Sequence, residues 1–501
     1  MMRIKRHEEA EFYALFDGRV HPSDDLLAID RLAPQRGIAA TFSSLREEPQ
    51  RGPLFYLVAR LWARLAGDGV VAMRALPALL GIAGIAFAFV LGRRVAGGLT
   101  GGAILAALVA VSPIELHLAR QLREYGAIAD TVLASAWLLL RAFERRSIGR
   151  WCAYGASVLV GLFVSPIFGA VAIAHAIVAA YAARRDGRRV FLGWLASVAV
   201  AGAIFAPWLV ANLGMARAHA GDLSWLHGAY APRAYALKWA FNIGAVFFDS
   251  EFARVRLGLV LVPILAIVAL SFYAACTVAY DPVARVLALA TTLCSLVPLV
   301  LLDIVTHAHF ESVTRYQMAT WVGIDILVAL ALTQALAAPS RRRIAAASAL
   351  GFLVICGAFS AAFDRAYPVW WDDNEHLDER LVGRVVAAAG APALVVATKD
   401  GEAAPHALVL AHYLPPGTGM LLYGATLPPL PPAPRDVFLF IPTQNVVREV
   451  KARVAPARDV RNGSPPLGLS IPDLRSESDA QASAAIRADN ALWHVVSTSP
   501  T

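Results

Sequence analysis

Charge is what this 501-residue chain has least of: Asp, Glu, Lys and Arg together make 16%, against 58% hydrophobic residues. With a mean hydropathy of +0.56, that shortage excludes an ordinary soluble protein and predicts a polytopic membrane protein. Cysteine is scarce as well. Cys152, Cys276, Cys294 and Cys356 all lie in apolar runs, so no disulfide framework is expected and each reads as a small buried hydrophobe. The opening stretch MMRIKRHEEAEFYALFDGRV contains neither a spanning run nor the apolar core of roughly 7 to 15 residues that a secretory signal requires.

Long apolar runs, by contrast, recur along the chain. A spanning helix needs about 20 mostly apolar residues, and candidates fall near 75–92, 96–114, 125–140, 190–211, 257–280, 286–302, 317–338 and 344–363. The uncharged run 151–183 is too long for one crossing and is broken at Ser165-Pro166, so it divides in two and brings the expectation to about ten spans. The net charge of +8 comes from arginines in short loops, at Arg93-Arg94, Arg141 to Arg150, Arg184 to Arg189 and Arg341 to Arg343. These are alternate loops, hence one side, and the positive-inside rule makes that side the cytoplasm. The charge therefore sets orientation and is not a nucleic-acid footprint. The loop 112–125, the segment 212–255, the loop 303–314 and the C-terminal tail fall outside, in the extracytoplasmic space of an inner (plasma) membrane. So does the N-terminal stretch 1–73, for which we expect two interfacial helices and, upstream of Met1, a further span.

The loop SPIELHLARQLREY, Ser112 to Tyr125, places costly charge between two apolar runs. Arg120 and Arg123 are three apart and share a helix face, with Tyr125 just beyond. A guanidinium binds phosphate through a planar fork, although arginines at helix ends also snorkel to lipid headgroups. Arg315-Tyr316 repeats the pattern at another outer helix end. Asp24 and Asp25 open a short amphipathic helix, HPSDDLLAIDRLA, as an N-cap pair or as a proton acceptor. Glu47 and Glu48 precede GPLFYLVARLWARLAGDG, read as a second interfacial helix opened by Pro53. There they support a base, orient a metal or complement the helix dipole. His117 and Glu115, and the group Asp303, His307, His309 and Glu311, leave a divalent metal open without specifying one. Asp130 and Asp325 lie inside spans, where a carboxylate costs on the order of 2.5–3.5 kcal/mol. Asp130, seven residues past Arg123, is expected to neutralise an arginine. Trp225, Trp239, Phe247 and Phe248 read as an interfacial aromatic belt or a sugar platform.

Beyond Phe363 the composition turns polar and Pro-rich. The short apolar runs at 393–398, 406–414, 420–425, 436–442 and 492–497, with the helical VVREVKARVA, predict a small α/β domain over 364–501. It carries no nucleotide loop, zinc spacing or catalytic triad.

Taken in order, the acidic pair before a short helix, Glu48-Pro49 running to Pro53-Leu54-Phe55-Tyr56, Arg74 to Pro77 entering the first span, Ser112-Pro113, Arg123-x-Tyr125 and Arg315-Tyr316 resemble the GT-C superfamily of polyprenyl-phosphate-sugar dependent glycosyltransferases, whose members include protein O-mannosyltransferases and lipid A aminoarabinose transferases. The resemblance covers residues 21 to about 340. It implies an α-helical polytopic GT-C fold over 74–363, a polyprenyl-phosphate-linked sugar donor in the membrane, and an acceptor glycan, lipid or protein. It places the general base at Asp24 with Asp25 beside it, and substrate contacts at Glu48, Arg120, Arg123, Tyr125, Arg315 and Tyr316. The chain departs from the family at Arg51-Gly52, where a His-Pro pair is usual, and at Gln121, where a Glu is usual. Two other readings stay open: a transporter or flippase of lipid-linked glycans, and a degenerate homologue that binds donor without transfer.

Overall fold

The structure, a computed structural model, describes residues 9–32, 37, 41, 45, 52–218, 232–249, 257–277, 280–310, 314–366, 379–389, 393–399, 403–430, 436–454, 458–462 and 492–497. The chain divides into two compact units, Gly37–Asp372 and a composite of Met1–Arg36 with Asp373–Thr501. This division differs from the expected boundaries at 73 and 363, because the N-terminal residues are drawn into the sheet of the C-terminal unit.

That sheet unit begins with α1 (Glu9–Ala14), β1 (Arg19–Pro22) and α2 (Ser23–Ile29). The amphipathic pattern of α2 serves a protein core rather than a membrane surface: Leu26 is fully buried with Phe12 and Phe16 among residues of the C-terminal segment.

In the larger unit, α3 (Pro53–Ala66) is followed by α4 (Val70–Gly92), a π-helical turn at Arg93–Gly97, α5 (Gly98–Val111), α6 (Pro113–Leu118), α7 (Tyr125–Arg145), α8 (Ile148–Val164), α9 (Gly169–Asp186), α10 (Arg189–Ala218), α11 (Pro232–Gly244), α12 (Leu257–Thr277), α13 (Pro282–Thr306), α14 (Met318–Ala337) and α15 (Ser340–Ala366). Over their described residues the expected apolar runs are helical. Among the described residues eight stretches are long and apolar enough to cross a membrane, and Ile148–Val164 is shorter. The chain is a multi-pass membrane protein. One of the eight, Val70–Val111, is 42 residues long but folds back on itself, since α4 packs against α5. The reversal uses Gly97 and Gly98, at φ of 93° and 66°, a region that side chains with a Cβ disfavour. At the centre lies α14, buried at every position from Met318 to Leu330 and packed against α5, α7, α12, α13 and α15. An element apolar on all faces is stable only when enclosed in this way.

The C-terminal part of the sheet unit contributes α16 (Glu379–Ala388), β2 (Ala393–Thr398), α17 (Ala403–Ala411), β3 (Gly419–Tyr423), β4 (Asp436–Phe440), α18 (Gln444–Val454), β5 (Arg458–Asn462) and β6 (Leu492–Ser497). The strand order is β1-β3-β2-β4-β6-β5. Parallel β2–β3 and β2–β4 pairs form the centre, with antiparallel strands outside them. Apolar residues fill both faces, with α17 on one and Val447 and Val450 of α18 on the other, as a central parallel sheet requires. Of the apolar runs, HALVLAHYL is largely the crossover helix α17. The polar strand β5 carries no alternation by which to read it, and β1 comes from the other end of the chain.

Candidate active site

The two ends of the large unit are marked by polar ties between helices. At one end the Tyr56 hydroxyl donates to Glu124 Oε2 at 2.7 Å, joining α3 to the residue before α7. At the other, Arg94 Nε donates to Glu144 Oε1 at 2.6 Å, joining the turn after α4 to the last turn of α7.

The first end holds SPIELHLARQLREY. Ser112 and Pro113 close α5 and open α6, and turns from Ala119 to Glu124 lead into α7 at Tyr125. Arg120 and Arg123 are both exposed. Arg123 makes no ion pair among the described residues, so its fork is available to an anion. Tyr125 is half-buried beside it in sequence. His117 Nε2 and Gln121 Nε2 lie 2.7 Å apart. The amide is the donor, which requires an unprotonated Nε2 on the imidazole. Burial, assisted by the Arg120 charge, pushes His117 down to about 4, in keeping with that arrangement. Burial also pushes Glu115 up to about 7, within the range of a group that exchanges protons near neutrality. Glu115 lies within electrostatic reach of Asp130 on α7 and Asp325 on α14. The expected pairing of Asp130 with an arginine is not made among the described residues. Its Oδ2 is buried without a hydrogen bond, as are both carboxylate oxygens of Asp325.

Behind this loop, α3 buries Phe55, Tyr56, Ala59, Arg60 and Ala63 on one face, against α4 and α8. Arg60 is fully buried, whereas Arg64, four residues on, is exposed. Gly52 caps α3 against the end of α8. A Cβ there would lie 2.2 Å from the Phe163 carbonyl oxygen, so any larger residue at this point meets the backbone of α8.

The end of α13 and the start of α14 are joined by several contacts. Asp303, buried, accepts from the Phe310 amide at 2.7 Å, Tyr235 donates to the Ala308 carbonyl at 3.1 Å, and Tyr316 packs against Phe310. Arg315 lies in the 3-10 turn Thr314–Gln317; its side chain, Glu48, Glu311 and Trp225 fall outside the described residues. Trp239, Phe247 and Phe248 are buried, not an exposed belt. No group of three His, Cys, Asp or Glu among the described residues is arranged to hold a metal ion.

Asp24 and Asp25 belong to the sheet unit, in the first turn of α2. Asp24 is exposed. Asp25 Oδ2 lies 3.4 Å from His21 Nδ1, whose Nε2 is 3.0 Å from Asp17 Oδ1. The hydrogen bond from His21 holds the Asp17 carboxyl below its usual range. The spacing Asp17, His21, Asp25, four by four, was available in the sequence as a sign of this cluster.

Residues 49–210 match the family model described as dolichyl-phosphate-mannose-protein mannosyltransferase. The likeness to that family rests on this segment of the chain. No curated protein matches it. Solved structures similar to this chain include ArnT from Cupriavidus metallidurans in the apo state, at 13% identity and a TM-score of 0.48, covering 98% of this chain and 97% of that one. The same protein bound to undecaprenyl phosphate gives 13% and 0.45 over the same shares. The Archaeoglobus fulgidus oligosaccharyltransferase in complex with Zn and sulfate gives 14% and 0.39, over 75% of this chain and 54% of that one.

Proposed function

We propose that the protein moves a sugar from a polyprenyl-phosphate carrier to an acceptor at the extracytoplasmic face of the inner membrane. In such a transfer the acceptor hydroxyl or amine attacks the anomeric carbon, the carbon–oxygen bond to the lipid phosphate breaks, and the phosphate leaves with the electron pair. A carboxylate must take the acceptor's proton, and fixed cations must receive the charge on the phosphate. Arg123 and Arg120 are our candidates for the phosphate, with Tyr125, Arg315, Tyr316 and Glu48 as further substrate contacts. Asp24 is the candidate base and Asp25 its neighbour. The observation that carries the reading is the exposed Arg123 fork at the mouth of α7, inside the segment 49–210 that matches the mannosyltransferase family.

The test is transfer from a radiolabelled polyprenyl-phosphate sugar by purified protein. Arg123→Gln should lower the rate by about 10²–10³, the usual cost of removing one charge-stabilising donor, and Asp24→Asn should reduce transfer to background. Undiminished transfer by both variants sinks the assignment of the site. Donor binding without transfer by the parent supports the degenerate homologue, and vesicle uptake supports transport.

A further inference from the structure

The end of the bundle remote from Arg123 contains a cavity of about 820 Å³. It lies among the Arg93–Gly97 turn, the start of α5, the residues before α13, the end of α14 and the first turn of α15. Glu124 and Glu144, which mark the two ends of α7, are twenty residues apart, so the two regions are separated by about 30 Å along the helix. The cavity therefore lies outside the proposed transfer site, and nothing in that reaction uses it.

Its lining is amphipathic. Val95 and Leu330 give apolar surface, while Arg94, Tyr280, Gln334 and Arg343 bring polar groups to the same space. Arg94 is clamped: Glu144 Oε1 lies 2.6 Å from its Nε, and Asp281 Oδ2 3.5 Å from its NH1. Its charge is thereby compensated. Arg343 is exposed and makes no ion pair among the described residues. With Arg94 and Arg343 against Asp281, the lining carries one net positive charge, and Arg343 carries it. The other basic loops, Arg141 to Arg150 and Arg184 to Arg189, belong to the same end. A ligand fitting this space needs an anionic head for a planar guanidinium, hydroxyl or ester oxygens for the amide and phenol, and hydrocarbon for the apolar wall. A free anion satisfies only the first demand. Basic pockets between spanning helices at a cytoplasmic face meet all three with a phospholipid, and the volume lies within the range of a small-molecule site.

We propose that this cavity binds the headgroup of an anionic membrane phospholipid, with Arg343 on the phosphate and the first methylenes of the chains against Val95 and Leu330. The test uses purified full-length protein and three probes: phosphatidylglycerol, phosphatidylcholine and inorganic phosphate. Thermal unfolding and native mass spectrometry follow binding. Phosphatidylglycerol should raise the midpoint and remain bound; phosphatidylcholine and phosphate should do neither. Arg343→Glu should weaken retention of phosphatidylglycerol by about tenfold or more, as the loss of one charge-assisted contact implies. Arg342→Glu, an equal charge change on an exposed neighbour outside the lining, should leave it within twofold. Arg343→Gln gives the same comparison by mass spectrometry should the Glu variant fail to fold. Equal loss in Arg342→Glu means diffuse surface attraction, equal effect of phosphatidylcholine means hydrophobic filling, and reproduction by inorganic phosphate means a free-anion site; each of these overturns the proposal. None depends on sugar transfer, so its failure is separable from failure of the active-site reading.

Discussion

At the scale of single residues, the pair Glu115 and His117 makes the pH response of this protein a difference of opposed contributions. Glu115 is raised from 4.5 to about 7, so between those values the folded state binds more protons than the unfolded one. Stability then falls as pH rises through that window, by up to about 3 kcal/mol. His117 is lowered from 6.5 to about 4, so the folded state binds fewer protons across that range and stability rises with pH. The two overlap from 4.5 to 6.5 and largely cancel. Glu115→Gln should therefore reveal a stability that climbs from pH 4 to 6.5, and His117→Asn one that declines from pH 4.5 to 7, each read from unfolding midpoints. The same parent-like flat profile in both variants would show that neither group is desolvated as described. Gln121→Glu replaces an amide donor with a carboxylate beside His117 Nε2. The imidazole pKa should rise from about 4, which a histidine proton titration by NMR would detect.

At the scale of elements, the seat of α3 is decided by two contacts. Gly52→Ala sets a methyl 2.2 Å from the Phe163 oxygen, an overlap that only backbone movement relieves. We expect a loss of about 1–3 kcal/mol, measured as a lowered unfolding midpoint; an unchanged midpoint would mean that α3 is not held against α8. Tyr56→Phe keeps the packing but leaves the buried Glu124 oxygen without its donor, for a further loss of about 1–3 kcal/mol. In the sheet unit, Leu26→Ala on α2 removes a fully buried side chain from the core and should cost about 2–5 kcal/mol. The readout is faster hydrogen exchange in β3, the strand that pairs with β1 through Arg19 to Pro22. Unaltered protection there would contradict the joining of chain ends in one sheet.

At the scale of the whole molecule, orientation follows from where arginine is abundant and where it is rare. A cysteine introduced at Arg342 should react with an impermeant thiol reagent only from the cytoplasmic side, and one at Arg120 only from the other; the reverse pattern would invert the proposed sidedness. The sequence by itself determined the place of the apolar helices, because exclusion of charge over about 20 residues is a local property. The family resemblance and the paired arginines of the α6–α7 turn were legible for the same reason: they are contiguous. The amphipathic face of α2 was legible too, but not what it faces, since a periodic pattern specifies burial without naming the partner. Only the tertiary structure decided that β1 completes a sheet begun nearly four hundred residues later in the chain, that Asp130 meets no arginine among the described residues, that Arg60 is buried while Arg64 is not, and that Gly52 lies tight against α8. These depend on distances between segments remote in sequence, and such distances are fixed by packing of the folded chain.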